Sequence, residues 1–537
     1  MTQVRTEARA EARAEARAEA RAEVRAEVRA DARRDARAEV LIAGGGSVGL
    51  SAAVFLAHHG VRVHLVERED GPRVHPRATG LGPRTMELLR EVQLADAVDA
   101  VAVDASAASL GKISAETLAA ANLPARPHGP TPHLAPAAMS WTPGALRGTC
   151  PQNRLDAVLL PAARDRGAVV EFGVALDSFT QDGTGVSARL SDGRTVTADY
   201  LIAADGARSA VREALGIATS GPGDLGEPNA NILFRADLEP LLGGRSFALC
   251  DLTHPEATGM LVTIDGAKEW VFHTARTQEP TPELIRTALG TPGLDVEILS
   301  TLHWRMRGLL ADRFRDGRVF LIGDAAHVVP PLGAFGLNTG VADAHNLAWK
   351  LALVLRGAAG TALLDSYDAE RRPVARLALD QSVLRLSDPQ LHWGHGPAAA
   401  RARAAAGAVN APLVHAGYRY SSAAVIDPEP ELPSTEDIAL VLGGSPGSRL
   451  PHHWIGEGLS TLDLIRSRFT LLTGPGDTAW DEAAGRLGLP VHHVAMPEIP
   501  PGGALLVRPD GFIGWRAGDG TPERLGPVLE ALLGRGD

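Results

Sequence analysis

Cysteine is almost missing from this chain: 537 residues hold two, Cys150 and Cys250. They lie far apart and belong to no metal-spaced cluster, which leaves no disulfide framework and no cysteine-bound metal, and fits a reducing, cytoplasmic setting. Each reads as a small buried hydrophobe. No apolar run reaches the length of a membrane span. No charged n-region, apolar h-region and small-residue cleavage site open the sequence. Positive charge is not in excess either: Lys and Arg number 53 against 64 Asp and Glu, a net charge of −11. A phosphate-binding surface needs the opposite balance, so nucleic acid is excluded as a main partner. What remains is a chain with 45% hydrophobic residues, suited to a globular protein of two or three domains.

From Arg5 to Glu39 an Arg-Ala-Glu-Ala unit repeats with a period of four. Ala, Arg and Glu favour helix, but this spacing puts like charges at i,i+4, where they repel, and opposite charges at i,i+2, where they do not meet. Only Ala methyls interrupt the charge, so nothing obliges the segment to pack. The expectation is a solvated helix or disordered tail over residues 1–38. Its acids set it apart from a mitochondrial presequence.

Directly afterwards Val40-Leu41-Ile42-Ala43 reads as a buried strand, Leu50 to Ala57 as a helix, and Val61 to Val66 as a second strand ending on Glu67. Between the first strand and the helix stands Gly44-Gly45-Gly46-Ser47-Val48-Gly49. This is the βαβ pattern that grips a dinucleotide. Gly44 permits the tight turn, Gly46 lets backbone approach a pyrophosphate, Gly49 lets helix and strand pack closely, and Glu67 can accept from ribose hydroxyls. The helix N-terminus offers N–H groups and partial positive charge to phosphates. A second match, Gly221-Pro222-Gly223-Asp224-Leu225-Gly226, has no apolar strand before it and no helix after it, and reads as a loop.

Further on, Pro83 to Glu91 and Gln152 to Arg166 read as helices, and Val169–Phe172, Val186–Leu190, Thr195–Ala198 and Tyr200–Ala204 as strands. Residues 100–147, rich in Ala, Pro and Gly, give no assignment. Four β-like runs over residues 229–275 suggest an antiparallel sheet inserted as a wall or lid. Helices are expected from about Val341 to Arg356 and from Leu363 to Leu386, a linker over 388–430, and a small α/β unit in the last hundred residues or so.

The strand Val319-Phe320-Leu321-Ile322 leads into Gly323-Asp324-Ala325-Ala326-His327, then Pro330-Pro331-Leu332-Gly333-Ala334-Phe335-Gly336-Leu337-Asn338. An acid at a strand end can bind sugar-like hydroxyls, paired prolines stiffen the following turn, and a glycine-containing helix start can offer N–H groups to an electron-rich ring edge. Together these residues resemble the flavin-binding signature of the group A flavoprotein monooxygenases, the family of p-hydroxybenzoate and phenol hydroxylases and of hydroxylases in aromatic polyketide pathways. Asp205-Gly206, after its strand, resembles the family's third motif, linked to flavin and NAD(P)H. The motifs stand in family order over about 40–385. Gly417-Tyr418-Arg419-Tyr420-Ser421-Ser422, Pro446 to His452, Ser460 to Leu464 and Leu506 to Gly511 are similar to the larger, antibiotic-pathway members, which carry a thioredoxin-like C-terminal domain.

The resemblance implies an α/β fold: a Rossmann-like FAD-binding domain (39–215 and 300–387), an inserted antiparallel β-sheet substrate domain (216–299), and a thioredoxin-like domain (431–537). With no cysteine after Cys250, that last domain cannot run dithiol chemistry; its expected role is packing or assembly. The resemblance places Ser47 and Val48 at the pyrophosphate, Glu67 at the adenosine ribose with Arg68 beside it, Arg77 near flavin or substrate, Gln152 at the ribitol phosphate, Leu176 behind the adenine, Asp205 and Asp324 on the cofactor, and Pro331, Gly336, Leu337 and Asn338 at the isoalloxazine. Arg77 reads otherwise as a surface ion-pair partner, and His327 as a structural histidine. Phe234, Trp270 and His273 read equally as cavity lining or as sheet core. No metal site is expected.

The implied reaction is FAD-dependent and NAD(P)H-consuming. Molecular oxygen forms a hydroperoxide on the flavin, which hydroxylates an aromatic natural-product intermediate, and water must be excluded. Baeyer–Villiger insertion, epoxidation and oxidative decarboxylation use the same cofactor. A plain FAD dehydrogenase and a flavin-bearing binding protein that stabilises a pathway intermediate stay open. So do the catalytic base, with substrate deprotonation resting on a histidine, on the field of Arg77 or on the substrate's own low pKa, and assembly as a homo-oligomer.

Overall fold

The computed structural model describes residues 36–103, 111–123, 140–144, 146, 148–247, 249–388, 390–394, 396–433, 440, 442–518 and 520–535. The Arg-Ala-Glu-Ala repeat up to residue 35 lies outside the described residues. Its last residues do not: strand β1 (Ala36–Ala43) begins at Ala36 and pairs through Ala38 with Ala198. The expected boundary at 38 is therefore three residues late, because backbone pairing extends the strand beyond its apolar part.

The βαβ unit forms as read. β1 leads through α1 (Ser47–His58) to β2 (Val63–Glu67), and the two strands are parallel. α1 buries nearly all of its surface, with Leu50, Ala52, Ala53, Val54 and Leu56 in the main core. α2 (Pro83–Glu91) and α3 (Gln152–Asp165) lie within a residue of their expected limits. β3 (Lys112–Ala115) comes from the stretch that gave no assignment. β4 (Val169–Phe172), β5 (Leu176–Gln181), β6 (Val186–Leu190) and β7 (Thr195–Ala203) follow. The two strand readings on either side of Asp199 are one continuous strand, because β7 pairs with β6 along its first half and with residues Val319–Leu321 along its second.

β8 (Thr219–Arg235), β9 (Leu249–Leu252), β10 (Gly259–Thr263), β11 (Glu269–Ala275) and β12 (Glu297–Ala311) build the second sheet. β13 (Arg315–Asp316) and β14 (Val319–Leu321) return to the first sheet, and β15 (His327–Val328) closes the second. The first, eight-stranded sheet has the order β13-β14-β7-β1-β2-β4, with the β5–β6 hairpin beside β7. The second, seven-stranded sheet has the order β15-β12-β8-β11-β10-β9-β3 and is antiparallel except for β3 alongside β9.

Two readings need correction. The second glycine-rich match is not a loop: it lies inside β8, with Gly223 opposite Gly308 and Asp224 opposite Arg307 of β12. Glycines hid the strand, yet they are what lets two long, bulged strands approach; a Cβ on Gly221 would stand 2.6 Å from the Gly308 carbonyl oxygen. The expected domain border at 299/300 cuts through β12, which belongs to the second sheet along its whole length.

α4 (Phe335–Leu355) starts six residues before its expected limit, and α5 (Asp365–Ser387) runs on through Pro373. In the C-terminal unit a short hairpin, β16 (Trp454–Gly456) and β17 (Leu459–Ser460), precedes a four-stranded sheet. That sheet comprises β18 (Thr470–Thr473), β19 (Val491–His493), β20 (Ala504–Val507) and β21 (Ile513–Ala517), in the order β19-β18-β20-β21. Cys150 and Cys250 are free and buried. Among the described residues no helix is long and apolar enough to cross a membrane.

Candidate active site

β1, β2, β7 and β14 run parallel, so their carboxyl ends meet along one edge of the first sheet, where open α/β sheets bind ligands. Three sequence-distant segments converge there. Gly44 has φ +112°, and a Cβ on it would stand 2.2 Å from the Ala204 carbonyl oxygen beside Asp205. A Cβ on Gly49 would stand 2.0 Å from the Gly44 oxygen. A Cβ on Gly340 in α4 would lie 2.7 Å from a Val48 methyl and 3.0 Å from Gly323 Cα. Gly46 is the exception: a Cβ there would meet nothing within 4 Å. The turn thus presents an open face beside the first-turn amides of α1, which have no intrahelical acceptor.

Glu67 is buried at the end of β2, where Oε2 accepts from the Gly45 amide at 2.5 Å and Oε1 from the Glu69 amide at 3.0 Å. Arg68 points to solvent and pairs with Glu69 at 3.4 Å. The Ser47 hydroxyl does not face the open turn; it donates to Asp156 of α3. Asp156 was not singled out from sequence, and its signal is weak: it is an acid on the buried side of α3, four residues after Gln152. Burial pushes its carboxyl up to about 6. Gln152 opens α3, with its amide bonded to the Ala78 carbonyl at 2.9 Å. Leu176 begins β5 and packs against the main core.

Asp205 follows β7. Its Oδ2 accepts from the Val211 amide at 3.1 Å, and its Oδ1 is buried with no partner among the described residues. Asp324 sits in a tight turn after β14, open to the cleft but recessed. That recess raises its carboxyl's pKa, opposed by His327, Arg77 and Arg73. Arg77 is solvent-accessible in the same cleft; burial and Arg73 lower its pKa, while Asp324 acts the other way. His327 is structural, as read: its Nε2 lies 2.6 Å from Asp343, which also accepts from Arg371 at 2.8 Å and from the Gly323 amide at 3.2 Å. This buried trio pins the turn that carries Asp324.

At the start of α4, the Asn338 side chain accepts from the Gly82 amide and the Thr85 hydroxyl, both at 2.7 Å, and donates to the Gly80 and Ala334 carbonyls. It fastens the chain after Arg77 to the helix start that also carries Gly336 and Leu337. Pro331 precedes it, exposed, its carbonyl accepting from Ala334 at 3.0 Å.

The second sheet divides the three aromatic candidates by strand alternation. Phe234 and Trp270 are cross-strand partners, fully buried in the apolar cluster against residues 282–289, and the Trp270 indole donates to the Ala236 carbonyl. They are core and are corrected as cavity residues. His273 lies on the opposite face, where its Nδ1 is 2.7 Å from Asn231 Oδ1; Trp304 Nε1 reaches the same oxygen at 2.7 Å. On this face His75 Nδ1 lies 2.8 Å from Ser300 Oγ, and burial together with Arg77 holds its pKa down to about 4. The chain from His75 to Arg77 thereby spans from the second sheet towards Asp324. Asn231, Trp304, Ser300 and His75 escaped the sequence reading because strand register, which no local motif encodes, brings them together.

Among the described residues no group of three metal-ligating side chains occurs. The open glycine turn, the unpartnered Asp205 oxygen and the recessed Asp324 fit a ligand with phosphates and hydroxyls, as FAD has.

Comparison with known proteins agrees. The FAD binding domain family matches residues 37–382, and the aromatic-ring hydroxylase C-terminal family matches 444–536. The tetracenomycin A2 monooxygenase-dioxygenase of Streptomyces glaucescens is 39% identical over 92% of this chain and 97% of its own. A ternary complex of aklavinone-11 hydroxylase with FAD and aklavinone superposes with a TM-score of 0.78 at 35% identity, covering 93% of this chain and 99% of that one. The rebeccamycin biosynthetic enzyme RebC with reduced flavin gives 0.79 at 33% identity, over 94% and 100%. The chain belongs to the group A FAD-dependent aromatic monooxygenases, the flavoprotein hydroxylases of antibiotic pathways.

Proposed function

We propose that this protein hydroxylates the ring of a phenolic, polyketide- or alkaloid-like intermediate, consuming NAD(P)H and molecular oxygen. The observation that carries the reading is the junction of two surfaces: a cleft edge with glycine turns and two recessed acids, facing a sheet whose inward side is polar and aromatic. FAD, when bound and reduced by NAD(P)H, supplies the activation of oxygen.

The chain's own residues bind and orient. The amides after Gly46 and the acids Glu67, Asp205 and Asp324 hold phosphates and hydroxyls. Gln152 and Leu176 border the ribitol and adenine ends. Pro331, Gly336 and Leu337 present the helix start to the flavin ring, and Asn338 locks that start against residues 80–82. The second sheet closes over the ring and keeps water from the reacting atoms. Arg77, set between Asp324 and His75, supplies positive charge where ring and substrate meet. The C-terminal sheet order supports a thioredoxin-like domain with a packing role, and the two buried thiols support a reducing compartment.

The test is turnover under labelled dioxygen with polycyclic phenols. The expected result is a yellow protein, NAD(P)H oxidation stimulated by the phenol, and one labelled oxygen atom in the product. A yellow protein that consumes NAD(P)H and leaves the product unlabelled would overturn the reading.

A further inference from the structure

Hydrogen-bond chemistry on the inward face of the second sheet fixes a tautomer. An indole nitrogen carries a hydrogen and offers no lone pair, so Trp304 Nε1 can only donate. The Asn231 atom 2.7 Å from it must therefore be the amide oxygen, which settles the orientation of that amide. The same oxygen lies 2.7 Å from Nδ1 of His273. An amide oxygen can only accept, so Nδ1 carries the hydrogen and donates. Nε2 is then a bare lone pair, and it has no partner among the described residues. Burial, then the neighbouring His75, holds the imidazole's pKa down to about 4, so the ring is neutral and Nε2 stays an acceptor near neutral pH.

The position suits a role in the reaction. His273 stands on β11 opposite Asn231 of β8, on the face turned away from the Phe234–Trp270 core. The charged or titratable groups about it are His75, bonded to Ser300 of β12, and Arg77 two residues further on, beside Asp324. The protein has thus committed two donors, one indole and one imidazole N–H, to a single oxygen, which leaves His273 Nε2 as a fixed acceptor on this face; the other ring nitrogen without a partner here, His75 Nε2, has no such fixed role, because the Ser300 hydroxyl can donate or accept.

We propose that His273 is a catalytic residue that accepts the phenolic hydroxyl of the ring to be hydroxylated, with Asn231 and Trp304 as positioning residues that hold its Nε2 in acceptor form. The proposal rests on the monooxygenase reading above. A base this weak does not ionise a resting phenol; it acts once the hydroxyl turns strongly acidic. As a ring carbon ortho or para to the hydroxyl bonds to the incoming oxygen, the O–H bond breaks, its electron pair forms C=O, and the proton passes to Nε2. The incoming oxygen would be the electrophilic hydroxyl oxygen that a reduced flavin and dioxygen supply; its O–O bond would break as the C–O bond forms, the electron pair leaving on the other oxygen, which would be protonated and lost as water. The attacked carbon then loses its hydrogen as a proton to water, the carbonyl oxygen takes back the proton from Nε2, and the ring regains aromaticity.

The test compares 2-naphthol with 2-methoxynaphthalene, which cannot donate, by equilibrium dialysis against the FAD-loaded holoenzyme. Wild type is expected to bind the naphthol about tenfold more tightly than the ether, with the naphthol spectrum remaining that of the neutral form. His273→Phe should bind both alike while keeping its FAD. Asn231→Leu, which frees the tautomer, should lose most of the preference, and it serves as the deciding variant if His273→Phe does not fold. In turnover, His273→Phe should lower the hydroxylation rate about 100-fold. Equal binding of the two probes by wild type, or a preference that survives in the variants, overturns the proposal. Oxygen labelling judges the monooxygenase reading separately: no labelled product with the preference intact would leave His273 a phenol acceptor in a protein of another activity.

Discussion

An added methyl group separates two glycines of the first turn. At Gly49 it would stand 2.0 Å from the Gly44 carbonyl oxygen, a backbone atom that cannot move without moving β1 or α1. At Gly46 it would meet nothing within 4 Å, on the open face that the proposed function gives to the cofactor. Gly49→Ala should therefore destabilise the apoprotein by about 3 kcal/mol or more. Gly46→Ala should leave its stability within about 0.5 kcal/mol of wild type while weakening FAD at least about tenfold, close to 1.4 kcal/mol. Urea unfolding of apoprotein and flavin fluorescence titration read the two effects apart. Asp156 gives a second expectation at this scale. Burial lifts its carboxyl from 3.8 to about 6. A carboxyl whose folded pKa exceeds its unfolded value binds its proton more tightly when folded, so its contribution is fully present below about pH 4 and is lost as pH rises through about 6. The loss is about 3 kcal/mol for a shift of roughly two units. Asp156→Asn keeps an acceptor for Ser47 but does not ionise, so the apoprotein should lose most of its stability change between pH 4 and 7, checked by urea midpoints across that range.

Strand alternation gives the expectation at the scale of elements. Trp270 and His273 lie three residues apart on β11 and face opposite ways, one into the apolar core and one onto the face it shares with Asn231 and Trp304. Trp270→Ala should cost about 3–5 kcal/mol of stability, as for other buried aromatics, and leave the FAD content of the folded fraction unchanged; denaturant unfolding and flavin absorbance decide. The same alternation shows how far the sequence can be read. Segments whose partners are local were legible: the βαβ unit has its strand, turn, helix and terminal acid within thirty residues. Segments whose partners are distant were not. β8 begins in Gly221-Pro222-Gly223, which locally spells a loop, and only pairing with β12 makes it a strand. β3 comes from a run without periodicity and, among the described residues, has β9 as its strand partner. The candidate site divides along the same line. The backbone cradle was legible because glycines and strand-end acids mark it, whereas the Asn231–His273–Trp304 set depends on register. Even at legible positions a side chain could face elsewhere, as the Ser47 hydroxyl does towards Asp156.

At the scale of the whole molecule, the C-terminal unit is joined to the FAD-binding unit by buried charge. Arg508 donates to Glu370 of α5 at 2.6 and 2.9 Å and to Asp510 at 2.6 Å, while Lys350 of α4 reaches Glu370 at 2.7 Å. Arg449 pairs with Glu87 of α2, and Arg84 donates to the Asp510 carbonyl at 2.6 Å. Helices α2, α4 and α5 are thus tied by buried ion pairs and hydrogen bonds to a unit that carries no cysteine. Burial alone would raise the pKa of Glu370, but Arg508 and Lys350 outweigh it and hold the carboxyl well below its ordinary range. Such a group adds stability above its unfolded pKa and loses it only as pH falls through the lower folded value. Arg508→Met removes two of the hydrogen bonds to Glu370 and leaves its charge buried with Lys350 and Asn346, which should cost about 3–5 kcal/mol at pH 7. It should also move the acid loss of stability upward in pH. Adding Glu370→Gln to Arg508→Met removes one of the two buried carboxylates that then share Lys350 as their nearby cation and should recover part of the loss, whereas Glu370→Gln in an otherwise wild-type chain should destabilise it by leaving Lys350 without its carboxylate, Arg508 keeping Asp510. Urea unfolding of the four proteins at pH 7 and pH 5 measures the coupling. Additive losses in the double variant would show that the two charges do not act as a pair.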